Sequence, residues 1–209
     1  MAQKTCHKPD EFLIKRAAGI IRRGGVVVFP TTCLYGLGAD AFNPLAVKRV
    51  FAIKKRLPDK PLLILIDLER DLEKVAKKLS HEIISTMTLF WPGKITFVID
   101  AADTFSEEIT AGTGKIGIRV PACTRAKRLV EFAGGPITGT SANISGMPAP
   151  SAPDDIDPVL SDAVDLVVSS GTLSGGVGST IVDLTLDVPV ILREGAVGKS
   201  EFYRILKNG

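Results

Sequence analysis

The sequence predicts an α/β fold: a single domain, 1–209, built on a twisted, mixed and partly parallel sheet with helices packed around it. Three observations carry this expectation. Short β-branched runs and amphipathic stretches alternate along the whole chain instead of separating into blocks. Many strand candidates are apolar at every position, so both of their faces must be covered. No repeat, low-complexity tract or composition shift marks a linker in the 209 residues.

The elements follow in order. Residues 10–23 place Leu13, Ala17, Ile20 and Ile21 at helical spacing and stop at Gly24-Gly25. Val26–Phe29 is too short and too β-branched for anything but a buried strand. After it, Tyr35-Gly36 is read as a turn that shapes a pocket wall. Pro44–Lys55 is a helix with proline in its first turn and Val47, Val50 and Phe51 on one face. Leu62–Ile66 is a strand, and Leu68–Phe90 forms two helical segments divided near Ser80. Ile95–Ile99 and Ile116–Val120 are strands bounded by Gly or Pro. Thr124–Phe132 is a helix, Pro136–Thr140 a strand, and Ser141–Pro153 a loop rich in Ser, Gly and Pro. Within it and beyond, the proline-rich 147–158 stretch is read as an active-site loop. Strands at 164–168, 180–184 and 188–192 and a helix from about Ser200 complete the chain.

Composition excludes several classes of function. The chain is 45% hydrophobic and 23% charged, ordinary for a globular protein. No apolar run approaches the roughly 18 residues a membrane span needs, and MAQKTCHKPDEF has no apolar signal region, which argues against export. Three cysteines (Cys6, Cys33, Cys123) at unrelated spacings suit a reducing cytoplasm better than a disulfide framework or a zinc site. His7 and His81 have no second ligand nearby in sequence. Net charge is only +3 with dispersed basic residues, unlike the basic stripe of a nucleic-acid binder. Locally, Lys48, Arg49, Lys54, Lys55, Arg56 and Lys60 crowd into thirteen residues. Such a run is either a solvated helix face or part of an anion site.

The polar residues of interest gather at strand ends, where open α/β sheets bind ligands. They are Thr31 and Thr32, then Lys54, Arg56 and Lys60, then Thr110, Arg119, Thr140, Ser141, Asn143, Ser179, Thr180 and Arg193. Arg119 and Arg193 stand in apolar strands, so each requires either an acidic neighbour or an anionic ligand. Two more familiar motifs fail on inspection. AGTGKIG (111–117) lacks a P-loop's first glycine, having Ile109 there, and has Ile116 where Ser or Thr must follow the lysine. Cys33 as a nucleophile would need His7 or His81 as its base; a small apolar residue near the core is the simpler reading. What remains is a set of hydroxyls, cations and glycines without a nucleophile or an acid–base pair. That inventory suits phosphoryl or nucleotidyl transfer, where catalysis is positioning and charge stabilisation.

The segments PTTCLYGLGADA, AIKKRLPDKPL, WPGKITFVI, ITAG with IGIRVP, TSANISG, and GGVGSTIVDL with ILREG occur in that order. Together they resemble the YrdC-like family, the threonylcarbamoyl-AMP synthases, from about residue 12 to 200. The resemblance implies an α/β sheet around a large, basic, concave cavity. It implies condensation of L-threonine, bicarbonate and ATP, with Mg²⁺ arriving on the ATP, into threonylcarbamoyl-AMP and pyrophosphate. The product would pass to a cytoplasmic tRNA threonylcarbamoyltransferase for modification of the adenosine beside the anticodon. Carried over by position, Thr31, Arg119, Thr140 and Ser179 would hold threonine. Lys54, Arg56, Lys60, Thr110, Ser141, Asn143, Ser151 and Arg193 would hold ATP, with Lys54 and Arg56 central to the reaction and no protein-held metal.

Three positions depart from the family pattern. Thr32 stands where an acid is usual, Cys33 where a threonine is usual, and Gly178 where some relatives have glutamate. The rival reading is a non-catalytic relative whose basic concavity binds double-stranded RNA or tRNA. It would show steeply salt-dependent RNA affinity without ATP turnover. A carbamoyl-adenylate module of a larger carbamoyltransferase and a thiol hydrolase using Cys33 are the remaining alternatives.

Overall fold

Helix α1 (Glu11–Arg22) is the first element of a computed structural model that describes residues 11–59 and 61–208. Glu11 in its first turn and Arg22 in its last complement the helix dipole, and Ile14, Ala17, Ala18 and Ile21 are buried. Strand β1 (Val27–Pro30) follows, and β2 (Tyr35–Gly38) returns antiparallel with Pro30 opposite Tyr35 and Val27 opposite Gly38. Here the turn expected at Tyr35-Gly36 is corrected: both residues belong to a buried strand. The glycines serve packing, since a Cβ at Gly36 or at Gly38 would stand 2.9 Å from the Phe29 ring. Two glycines therefore let a large aromatic lie flat against the neighbouring strand.

Helix α2 (Pro44–Lys54) is capped by Asn43, whose side chain accepts from the N–H groups of Leu45 and Ala46. It ends at Lys55, a non-glycine residue in the left-handed region with φ 48°. Next come β3 (Leu63–Leu65), α3 (Leu68–Val75) and α4 (His81–Thr88), the last capped by Ser80 where the division was expected. Then follow β4 (Ile95–Asp100), the one-turn α5 (Glu107–Thr110), β5 (Lys115–Arg119) and α6 (Thr124–Ala133). The strand expected over 136–140 divides into β6 (Ile137–Thr138) and β7 (Thr140–Ser141). A 3₁₀ turn at Pro153–Asp155 lies in the region read as loop, and the short α7 (Pro158–Ala163) follows it. Finally β8 (Leu166–Val167), β9 (Thr180–Asp183), β10 (Val190–Arg193) and α8 (Lys199–Asn208) close the described chain.

The strands form two mixed sheets, ordered β7-β2-β1-β8 and β10-β9-β4-β5-β3-β6. Parallel pairs (β1–β8, β3–β5, β4–β9) sit beside antiparallel ones in both. Residues β6 and β7 are neighbours in sequence but belong to different sheets, and Gly139 makes the crossing. A Cβ there would meet Leu65 at 2.6 Å and Leu63 at 2.8 Å, so only glycine lets the chain cross over β3. Strand β1 explains why its sequence is apolar throughout. Val27 and Phe29 join a cluster with α1 and α6, while Val26 and Val28 face the main core.

Candidate functional site

Where the two sheets meet, strand ends and loops enclose a cavity of about 340 Å³, within the size range of small-molecule sites. The β1–β2 loop contributes Thr31, Thr32 and Cys33, and β7 contributes Thr140 and Ser141. Arg119 comes from the end of β5, Ser179 from the residue before β9, Arg193 from the end of β10, and Arg56 from the turn after α2. Lys94, just ahead of β4, completes the wall. Arg56, Lys94, Arg119 and Arg193 are the cations, and no Asp or Glu is among the described lining residues.

Arg119 is the most telling of these residues. Its Nε is buried without a hydrogen-bond partner, and no ion pair reaches it among the described residues. Burial pulls the guanidinium down to about 10; the Cys33 and Cys123 thiols oppose this, and the Arg193 charge adds to it. An unpaired, half-buried cation that borders a cavity is complementary to an anion placed there. Arg193 donates to the Ser179 carbonyl at 2.8 Å, and the Ser179 and Thr96 hydroxyls are 2.7 Å apart. Thr31 Oγ1 donates to the Leu34 carbonyl at 2.6 Å, which leaves its lone pairs available to a donor in the cavity. Arg56 donates to the Pro61 carbonyl at 2.8 Å, and burial lowers its pKa although Asp59 opposes the shift.

Lys54 is placed differently from its neighbour Arg56. It is 1% exposed and does not line the cavity. Its ammonium donates to the Ser141 carbonyl, to the Asn143 carbonyl at 2.7 Å and to Asn143 Oδ1 at 3.3 Å. The Lys54 carbonyl in turn accepts from the Ser145 N–H. Burial, assisted by the Arg56 charge, pulls Lys54 down to about 7, while the three oxygens around it favour the protonated form. Ser141 Oγ shares Asn143 Oδ1 with this lysine, so the TSAN turn, part of the cavity wall through Thr140 and Ser141, is tied to the end of α2.

Thr110 and Ser151 do not line the cavity. Thr110 is buried in α5 with its hydroxyl on the Glu107 carbonyl, and Ser151 bonds to Asp155. Asn143 likewise stands behind the wall, its amide donating to the Ile144 and Met147 carbonyls. Lys60, His7 and Cys6 lie outside the described residues. Cys33 lines the cavity, but His81 opens α4 away from it, so no histidine is set beside that thiol among the described residues. Sequence reasoning passed over Lys94, although it lies inside the WPGKITFVI segment; a cation at the start of a buried strand was the available signal. It also passed over the anchoring role of Tyr35, whose hydroxyl donates to the Gly171 carbonyl at 2.7 Å and accepts from the Ser170 N–H.

The chain as a whole has counterparts among known proteins. The profile of a family described as "Telomere recombination" (Sua5, YciO and YrdC) matches residues 19–195. The chain belongs to this Sua5–YciO–YrdC family. Threonylcarbamoyl-AMP synthase of Pyrococcus abyssi is 38% identical over 197 residues, which are 94% of this chain and 58% of that protein. The chain thus spans little more than half the length of that relative. Among solved structures, P. abyssi Sua5 complexed with L-threonine is 36% identical with a TM-score of 0.87, covering 96% of this chain and 59% of that one. Escherichia coli YciO, 30% identical with a TM-score of 0.83, is matched nearly end to end, over 94% of this chain and 95% of that one. The α/β class and the arrangement of elements are those of the Sua5–YciO–YrdC family.

Proposed function

We propose that this chain is a threonylcarbamoyl-AMP synthase, a nucleotidyltransferase acting on L-threonine, bicarbonate and ATP. The observation that carries the reading is a cavity whose described lining has four cations and no acid, among them a half-buried arginine whose buried Nε has no partner. Such a site suits a carboxylate and a polyphosphate together, and its described lining sets no histidine base beside the thiols or hydroxyls. The relatives' names and the threonine bound to P. abyssi Sua5 support the same reading.

In this mechanism the Arg119 guanidinium holds the threonine carboxylate, and Ser179, Thr31 and Thr140 meet its hydroxyl and amine side. The amine and bicarbonate combine with loss of water to give a carbamate. A carbamate oxygen then attacks the α-phosphorus in line, and pyrophosphate leaves with its bond to that phosphorus broken. Arg56 and Arg193 stabilise the charge that collects on the phosphate oxygens, and Ser141 positions the nucleotide. Lys54 acts through the TSAN turn, which it holds in place, with Asn143 as the link. Lys60, Thr110 and Ser151 are assigned to ATP by resemblance alone. Among the described residues no three His, Cys, Asp or Glu side chains converge to hold a metal ion. No Asp or Glu is among the described lining residues, so Mg²⁺ would enter as part of the nucleotide substrate. The product would pass to a tRNA-modifying threonylcarbamoyltransferase.

The test is incubation with ATP, Mg²⁺, bicarbonate and L-threonine, reading pyrophosphate and the adenylate. Omission of threonine or of bicarbonate is expected to stop both. Arg56→Ala is expected to lower the rate by about a hundred-fold or more, the scale of a lost transition-state donor. Pyrophosphate release indifferent to threonine and bicarbonate, or a near-normal Arg56→Ala enzyme, would overturn the proposal.

A further inference from the structure

We infer that Lys94 is the residue that receives the carbamate, binding the oxygens that bicarbonate contributes to the substrate amine. The inference rests on the synthase reading and extends it to a residue assigned no role above.

Lys94 is exposed at the cavity wall and has no ion pair or side-chain hydrogen bond among the described residues. The neighbouring cations are differently engaged: Arg193 donates to the Ser179 carbonyl and Arg56 to the Pro61 carbonyl. The backbone around Lys94 is held on both sides. The Gly93 N–H donates at 3.1 Å to the carbonyl of Val120, the residue after Arg119, and Gly93 bridges to Pro121. On the other side, the Thr180 N–H donates to the Lys94 carbonyl at 3.1 Å, immediately after Ser179. The lysine thus stands between the two residues that the synthase reading places on the amino acid's carboxylate and hydroxyl.

In an α-amino acid the carboxylate and the amine share one carbon. A cation beside the carboxylate site therefore faces the amine and whatever is built on it. No carboxylate in the described lining could hold an ammonium there. A positive wall favours the neutral amine, and it favours the anion that forms when R–NH₂ and HCO₃⁻ give R–NH–COO⁻ and H₂O. Lysine suits this task as a compact point charge that can follow the group from bicarbonate to carbamate.

The experiment measures initial rates of pyrophosphate release for Lys94→Ala, Lys94→Gln and Lys94→Arg, varying bicarbonate, threonine and ATP in turn. Removing the ammonium is expected to raise the apparent KM for bicarbonate about ten-fold or more, the scale of one hydrogen bond to a charged group. KM for ATP should stay within about two-fold, and Lys94→Arg should recover most of the loss. A parallel calorimetric titration of L-threonine, with and without bicarbonate, needs no turnover. In the unsubstituted protein bicarbonate should tighten threonine binding, and in Lys94→Ala it should not. Turnover with an unchanged bicarbonate KM in Lys94→Ala overturns the role of Lys94 alone, as does an equal rise in the KM for ATP. Bicarbonate-coupled threonine binding that depends on Lys94, without any adenylate formed, overturns the synthase reading and leaves Lys94 as the oxyanion site. Absence of both turnover and coupling overturns both.

Discussion

Arg119 illustrates how a single side chain can be maintained against stability. A guanidinium whose Nε is buried without a partner costs free energy in the protein, and on the proposed function a bound carboxylate would offset that cost. Arg119→Met is therefore expected to raise the unfolding free energy of the ligand-free protein by about 1–4 kcal/mol while removing threonine binding. Urea denaturation and calorimetry check the two halves. A destabilised variant would show that Arg119 has a structural partner after all. Two of the three basic residues at and just after the end of α2 carry the opposite lesson. Lys54 and Arg56 look alike in the sequence, yet Lys54 is enclosed by the oxygens of the TSAN turn and Arg56 lines the cavity. Loss of activity in a Lys54 variant would accordingly come with movement of that turn.

Strand β2 shows how an element can be hidden by its own packing. YGLG carries two glycines in four residues, the usual signature of a turn, and the strand was passed over for that reason. Its β character is supplied by pairing with β1 and β7 and by the Phe29 ring lying over Gly36 and Gly38. Gly36→Ala should therefore cost about 1–3 kcal/mol through overpacking. The effect should shrink in a Phe29→Leu background, because the two changes share one contact. Full additivity in thermal or urea unfolding would exclude this explanation. The helices were far more legible. Asn43 before Pro44 and Ser80 before His81 are caps that act within one turn, and the structure has both. The β6–β7 division was not legible, because the need for Gly139 comes from Leu63 and Leu65, more than seventy residues earlier.

Taken as a whole, the molecule sets two mixed sheets so that their ends converge on one cationic cavity. A cavity of that sign should bind inorganic pyrophosphate even without the other substrates. Pyrophosphate is expected to raise the melting temperature at low ionic strength, by an amount that grows with the logarithm of its concentration. The shift should fall in high salt and be smaller in Arg56→Ala. A shift indifferent to both salt and Arg56 would place the anion elsewhere.

Sequence alone was sufficient for the α/β class, for the order of most elements and for the polar residues that gather at strand ends. Those features follow from local periodicity, capping and the avoidance of buried charge, which neighbouring residues express. It could not show which of those polar residues share a cavity, because that depends on contacts between segments far apart in the chain. The left-handed turn at Lys55 is the clearest instance. It sends Lys54 into the carbonyls of residues 141 and 143 and Arg56 to the cavity wall, although the two are separated by a single residue. Lys94 likewise became a candidate only when β5 and β9 closed on either side of it.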